Sequence, residues 1–249
     1  MNDRFKINNI NISITNLDDA LVCIKRQIIL KQPGYVCVTN VRATYIANKD
    51  PNYCRIQNNS FLTIPDGKPL EWYARIIGLK QVSKTSGPDL FHRLCQISEE
   101  NNFTHFFYGS TPEVIDKMQI NLKSKYPKLN ILGAVSPPFK PIEELANDRI
   151  IEQINSLKPN FVWIGLGAPK QERFIDLISN RIQSSILIGI GLVFDYEAGT
   201  VKRAPRWMQN YGLEWLFRFM QQPRYSMRSL KAFRYFILLI IKTVIFKKW

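Results

Sequence analysis

The sequence predicts an α/β fold, a Rossmann-like and largely parallel sheet with flanking helices, followed by a basic C-terminal helical appendage. Three observations carry this expectation. Short β-rich apolar runs alternate with segments of helical spacing, cap signals stand where a helix should begin, and the excess positive charge is concentrated near the C-terminus.

The strand candidates, in chain order, are Tyr35 to Val38, Phe61 to Ile64, His105 to Tyr108, Asn130 to Ala134, Phe161 to Ile164 and Ile186 to Ile190. Each is a short apolar run, as a strand covered on both faces requires. Between them, Leu17 to Leu30, Pro88 to Glu99, Pro112 to Tyr126, Ile142 to Ser156 and Lys170 to Asn180 read as helices. Ser110-Thr111-Pro112 supplies a hydroxyl cap and a first-turn proline at one helix start. Ahead of the first helix, Met1 to Asn16 alternates polar and apolar residues and lacks the pattern of an export signal. The prolines Pro137, Pro138 and Pro141 read as one rigid loop rather than a boundary. With no internal repeat or low-complexity linker, a catalytic domain is expected over 1–200 and an appendage over 201–249.

Composition narrows the function classes. The 249 residues, 45% hydrophobic and 12% aromatic, supply one good-sized core. Cys23, Cys37, Cys54 and Cys95 are scattered without a C-x-x-C pair, so they read as reduced structural thiols in a cytosolic protein. His92 and His105 lie far from a second ligand at metal spacing, and no metal or other cofactor is expected.

Of the net charge of +14, residues 201–249 contribute +10, from eleven Lys/Arg against Glu214 alone. The first 200 residues hold an ordinary 23 basic and 19 acidic groups. In the tail, Arg224, Arg228, Lys231 and Lys242 fall at helical spacing beside a broad apolar face of Phe233, Phe236, Ile237, Ile240, Ile241 and Val244. Arg234 and Lys242 interrupt the apolar stretch, whereas a bilayer span needs about 20 apolar residues. An interfacial helix drawn to anionic lipid therefore fits, with a core helix bearing a solvated basic face as the alternative. Nucleic acid is not expected as a partner, because aliphatic residues rather than a stacking platform of aromatics separate the charges. With all strand candidates before residue 200, the piece from about Arg224 onward is expected to be removable.

In parallel sheets ligands collect at the carboxyl ends of the strands. Three loops stand there: Thr39-Asn40, Pro65-Asp66-Gly67 and Gly165 to Pro169. Pro-Asp-Gly is first of all a turn, yet a carboxylate fixed on a turn at a strand end could equally serve as a general base. The run Gly165-Leu166-Gly167-Ala168-Pro169-Lys170-Gln171-Glu172 joins a strand to a helix and could face a phosphate, or could simply make a tight turn. Its lack of the third glycine of G-x-G-x-x-G, where Lys170 stands, weakens a dinucleotide reading. No D-x-D pair is present, and Asp195-Tyr196-Glu197 is the nearest approach. In a sugar-nucleotide transferase the leaving charge would then fall to backbone amides and cations such as Lys202, Arg203 and Arg206.

At these same loops the sequence resembles the WecG/TagA/CpsF family, glycosyltransferase family 26. The matching stretches are PDGKPL at 65–70, GPDLF at 87–91, FYGSTPE at 107–113, SPPF at 136–139, GLGAPKQE at 165–172 and FDYEAGTVKRAPRWMQNYGLEWLFR at 194–218. The resemblance implies a metal-independent, inverting transfer of an N-acetylmannosamine-type sugar from a UDP-sugar to an undecaprenyl-diphosphate-linked saccharide. It implies a peripheral position on the cytoplasmic face of the bacterial membrane, in cell-surface polysaccharide synthesis, with homo-oligomerisation left open.

Carried over by residue, the resemblance makes Asp66 the base and assigns Asn40 and Gln171 to the pocket. Val38 stands where the family often has Thr, with Thr39 adjacent, and Lys84 stands for a basic residue commonly Arg, losing its bidentate fork. Thr39, Asn40, Gly109, Gln171, Glu172 and Asp195 are substrate-binding candidates. Lys84, Lys170, Arg203 and Arg206 are candidate phosphate partners, and Arg218, Arg224 and Arg228 would contact the acceptor diphosphate. The rival readings are a nucleotide-dependent oxidoreductase on a similar sheet and a basic, non-enzymatic nucleic-acid or membrane binder.

Overall fold

The computed structural model describes residues 3–221 and 223–246, and within its last helix it describes side chains for residues 230–245. The chain opens with an antiparallel hairpin of β1 (Arg4–Ile7) and β2 (Ile10–Ser13), paired from Arg4↔Ser13 to Ile7↔Ile10. Within the alternating N-terminal stretch, Arg4–Ile7 and Ile10–Ser13 thus fold as strands, with Phe5, Ile7, Ile10 and Ile12 all buried. Next come α1 (Leu17–Ile29), β3 (Gly34–Thr39), α2 (Val41–Lys49), α3 (Pro51–Asn59), β4 (Leu62–Pro65) and α4 (Lys68–Ile76). The middle of the chain alternates α5 (Gly87–Asn101), β5 (Thr104–Gly109), α6 (Pro112–Lys125), β6 (Asn130–Val135), α7 (Ile142–Leu145), α8 (Asp148–Leu157), β7 (Phe161–Gly165), α9 (Lys170–Ser179) and β8 (Ile186–Gly189). It ends with α10 (Val193–Glu197), α11 (Arg206–Asn210), α12 (Glu214–Gln221) and α13 (Pro223–Phe246).

All six strand candidates form, and they make one parallel sheet in the order β4-β3-β8-β7-β5-β6. The expected α/β architecture is therefore present. Apolar residues of α1, α5 and α6 cover one face of the sheet, and those of α7, α8 and α9 cover the other. The cap signal before α6 is realised: Thr111 Oγ1 accepts from the Val114 amide at 3.4 Å, and Pro112 opens the helix. The single helix expected over Ile142 to Ser156 is instead two. Asn147 interrupts it, its side chain accepting from the Ile150 amide at 3.2 Å to start α8 afresh. His105 is buried, accepts from Trp163 Nε1 at 2.9 Å and has its pKa pushed down to about 3 by burial, so it is a neutral core residue.

The C-terminal helix departs most from expectation. The broad apolar face divides in two, because it is wider than one contact can cover. Ala232 and Phe236 are buried, and Phe233, Leu239 and Ile240 pack beside them onto a cluster formed by the hairpin, α2 and α4. The Phe236 ring lies 6.1 Å from Tyr73, and Tyr235 meets Tyr45 edge-on at 5.5 Å. Ile237, Leu238, Ile241, Val244 and Ile245 point outward with Leu230. The segment expected to be removable thus supplies part of a core. Among the described residues, no helix is long and apolar enough to cross a membrane.

Candidate active site

One cleft opens at the carboxyl ends of β3, β4 and β8, walled by α2, α5 and α9 and roofed by α12 and the first half of α13. Its floor follows from two adjacent strand ends. Asn40 leaves β3 and caps α2, its side-chain oxygen accepting from the amides of Arg42 at 3.0 Å and Ala43 at 3.1 Å. That commitment leaves the Asn40 side-chain N–H₂ as a donor, and it bonds to the Asp66 carboxyl. Asp66 follows β4, and its own amide donates to the Thr39 carbonyl at 2.8 Å. Gly67, at φ +93°, then turns the chain into α4, a conformation that disfavours any side chain. The Pro-Asp-Gly turn and the presentation of a carboxyl are therefore the same structure.

The surroundings of Asp66 are electrically mixed. Its pKa is pushed up to about 6, first by burial and then by the negative charge of Glu214; Lys84, Arg218 and the Asn40 hydrogen bond act in the opposite sense. Lys84 Nζ pairs with Glu214 Oε2 and reaches the Gln209 carbonyl at 3.5 Å. Arg203 bonds Asp89 at 2.8 Å and the Ser86 hydroxyl at 2.9 Å, with its Nε 3.9 Å from Glu214 Oε1. Arg218 lines the cleft itself. Arg218 is thus the cation of this set that lines the cleft, while Lys84 and Arg203 stand around Glu214, which lines it too.

The opposite wall is neutral and acidic. Gln171 and Glu172, both buried, open α9 and face the cleft. Gln171 Nε2 donates to Glu172 Oε1 at 2.9 Å, so the amide is fixed with Oε1 left over, and that atom has no hydrogen-bond partner among the described residues. Burial raises the Glu172 pKa. A Cβ on Gly189 would come within 2.8 Å of Gln171 Nε2, so glycine there makes room for this arrangement.

Several candidates from the sequence do not line the cleft, Lys84 and Arg203 among them. Thr39 turns its hydroxyl to the far side of β3, donating to Gln57 Oε1 at 2.5 Å. Gly109 pairs with Gly165 in the sheet, where a Cβ would meet backbone at 2.6 Å, so its need for glycine is a matter of strand packing. Lys170 leans away to the Lys140 carbonyl at 2.9 Å and over the Phe139 ring at 5.2 Å. Asp195 accepts from the Thr200 hydroxyl at 3.3 Å within its own turn. Arg206 is 77% exposed and only approaches Asp89, at 3.6 Å. The side chains of Arg224 and Arg228 lie outside the described residues. Arg42, Lys68, Tyr196, Glu214 and Trp215 are among the lining residues to which sequence reasoning assigns no role. Of these only Glu214 carried a signal, as the lone acid in a basic segment.

A cleft that sets a recessed carboxyl against cations suits transfer of a group from a phosphate leaving group, and comparison with known proteins agrees. The model of the glycosyl transferase WecG/TagA/CpsF family matches residues 5–249. An N-acetylglucosaminyldiphosphoundecaprenol N-acetyl-beta-D-mannosaminyltransferase of Bacillus subtilis (strain 168) is 29% identical over 232 residues, covering 92% of this chain and 88% of that protein. The protein of the same description from Bacillus spizizenii (strain ATCC 23059 / NRRL B-14472 / W23) is 28% identical over 202 residues, covering 81% and 77%. Matched over nearly its whole length, this chain belongs to the WecG/TagA/CpsF family of glycosyl transferases.

Proposed function

We propose that the protein is an inverting glycosyltransferase that moves an N-acetylmannosamine-type sugar from a UDP-sugar onto an undecaprenyl-diphosphate-linked saccharide. The observation that carries this reading is Asp66, a carboxyl on the cleft floor that burial raises in pKa, with Arg218 in the same lining and the Lys84 charge acting on it. Asp66 takes the proton of the acceptor hydroxyl as that oxygen attacks the anomeric carbon, and the bond to UDP breaks on the far side. One displacement inverts the anomeric centre. The cations take up the charge on the departing diphosphate. Gln171 and Glu172 offer polar groups to the sugars, and the activities of the Bacillus relatives suggest the sugar and lipid classes.

A metal-independent reaction is part of the proposal. The nearest approach to a metal-binding acidic pair is already engaged, Asp195 by Thr200 and Glu197 by His92 at 3.1 Å and Lys125 at 3.7 Å.

We assign residues 1–200 to catalysis and 201–249 to an appendage that completes the site, since Glu214, Trp215, Arg218 and Phe219 all line the cleft. The outward apolar residues of α13, flanked by Lys231, Arg234 and Lys242, suit the anionic cytoplasmic face of a bacterial membrane. The test is incubation of the full chain with a panel of UDP-sugars and a short-chain lipid-diphosphate N-acetylglucosamine, followed by mass analysis. A product heavier by one N-acetylhexosamine is expected. Absence of any sugar adduct, with NAD(P) bound and UDP not, would overturn the reading in favour of an oxidoreductase.

A further inference from the structure

Glu214 is the one acid among the basic residues of the C-terminal segment, and it stands inside the cleft rather than on the surface. It opens α12, and its two carboxylate oxygens divide their partners. Oε2 takes Lys84 Nζ, while Oε1 faces Arg203 Nε at 3.9 Å. Lys84 comes from the loop between α4 and α5, and its side chain is only 10% exposed. Its ammonium is held from the other side by the Gln209 carbonyl at 3.5 Å, so both of its described partners belong to the C-terminal segment. The Lys84 amide, meanwhile, donates to Glu71 Oε2 at 2.9 Å, which pins the loop that delivers it.

Without Glu214 the Lys84 ammonium would be left between two other carboxyls, Glu71, which already accepts from the Lys84 amide, and Asp66, on which the lysine charge acts. A lysine paired with Asp66 would hold that carboxylate ionised and strip it of proton affinity, a poor state for a general base. We propose that Glu214 is a positioning residue for the transfer reaction: from the cleft lining it holds the Lys84 ammonium on its own carboxylate, with Arg203 beside it, and so keeps that ammonium from pairing with Asp66.

This inference rests on Asp66 being the base. The groups around that carboxyl belong to several elements. Arg42 projects from the head of α2, Lys68 from α4, Tyr196 from α10, and Glu172 stands across the cleft on α9. Lys68 is already committed to Glu71 at 3.0 Å. Lys84, Glu214 and Arg218 are the charged groups that act on Asp66.

The test is a kcat/KM pH profile for the full-length enzyme and two variants. In Glu214→Gln, Lys84 is released toward Asp66 and one negative charge is lost, so the acidic limb should move to lower pH by roughly half a unit or more. The rate on the plateau should fall about tenfold or more as the base weakens. In Glu214→Asp, which keeps the charge, the limb should return toward that of the parent. Lys84→Gln should move the limb the opposite way, to higher pH. A limb unmoved in Glu214→Gln, with the folded state intact by circular dichroism, overturns the positioning role. Failure of the underlying reading is seen separately, as near-parental turnover in Asp66→Asn.

Discussion

The amide of Asp66 donates to the carbonyl of Thr39 at 2.8 Å, and this one bond sets the geometry of the cleft floor. It ties the end of β4 to the end of β3 and so brings the Asp66 carboxyl within reach of the Asn40 side chain, the next residue after Thr39. Thr39 therefore contributes through its backbone, while its side chain serves the core.

Replacing Asp66 by Asn preserves shape and leaves the backbone bond to Thr39, but the amide cannot accept a proton. Turnover should fall by roughly 10²- to 10⁴-fold with UDP affinity little changed. Initial rates and calorimetric titration with UDP would check this, and a variant that turns over at the parental rate would remove Asp66 from the role of base.

The same substitution should make the protein more stable at neutral pH. The folded-state pKa of Asp66, about 6, lies above the ordinary aspartate value of 3.8, so the fold favours the protonated form. The stability it contributes is fully present below about pH 4 and is lost as pH rises through about 6. Asp66→Asn avoids that loss and should gain on the order of 2 kcal/mol at pH 8, with the gain vanishing near pH 4. Denaturant midpoints at the two pH values provide the measurement. An equal effect at both would mean that Asp66 is not strained by its surroundings.

Much of this arrangement is legible in the sequence, for reasons that differ by residue. The parallel strands are short continuous apolar runs, so the burial of all but the partly exposed edge strand β6 is written locally. Asp66 and Asn40 are legible because strand ends in such sheets carry ligands and because both sit where the chain must turn. Helices α2 to α4 were missed since their apolar residues are sparse and their stability comes from packing on the hairpin and α13, contacts distant in sequence. Lys170 and Gln171 show the limit of position alone. They are adjacent, yet successive residues of a helix point some 100° apart, and only Gln171 faces the cleft. The role of Glu214 could not be read without knowing that the C-terminal segment folds back over β3 and β4.

Gly109 should prove a stability residue rather than a ligand-binding one. Its φ is +140°, and an added Cβ would sit 2.6 Å from the Gly165 backbone carbon. Neither neighbour has a flexible end that could yield. Gly109→Ala should lower stability by about 2 kcal/mol or more while leaving the KM of the surviving folded enzyme near the parental value. A variant of unchanged thermal midpoint and raised KM would return Gly109 to the substrate.

Chelation should leave the rate unchanged. Arg42, Lys68 and Arg218 line the cleft as cations that a leaving diphosphate would meet, and Asp195 and Glu197 are held by other partners. Assays with excess EDTA, with and without Mg²⁺ or Mn²⁺, decide the matter. Loss on chelation and rescue by either ion would make Asp195 and Glu197 ligands after all.

Membrane attachment by α13 should be driven by insertion as well as by charge. Leu230, Ile237, Ile241 and Ile245 recur at spacings of seven and four, which stacks them on one outward face, and Ile237 is 56% exposed. Lys231, Arg234 and Lys242 accompany that face, each worth on the order of 1 kcal/mol near an anionic surface and screened within a Debye length. Burying each half-exposed aliphatic side chain contributes a comparable amount, roughly 1 kcal/mol, that salt does not weaken. Cosedimentation with anionic vesicles should therefore fall with added salt but level off above zero. The double variant Ile237→Ser with Ile241→Ser should abolish the salt-resistant part and leave the fold intact, because neither side chain packs inward. Deleting the helix is a different perturbation, since it uncovers the surface on which Ala232 and Phe236 lie and should lower the thermal midpoint. Binding that vanishes entirely in high salt in the parent protein would show that the outward aliphatic face does not enter the bilayer.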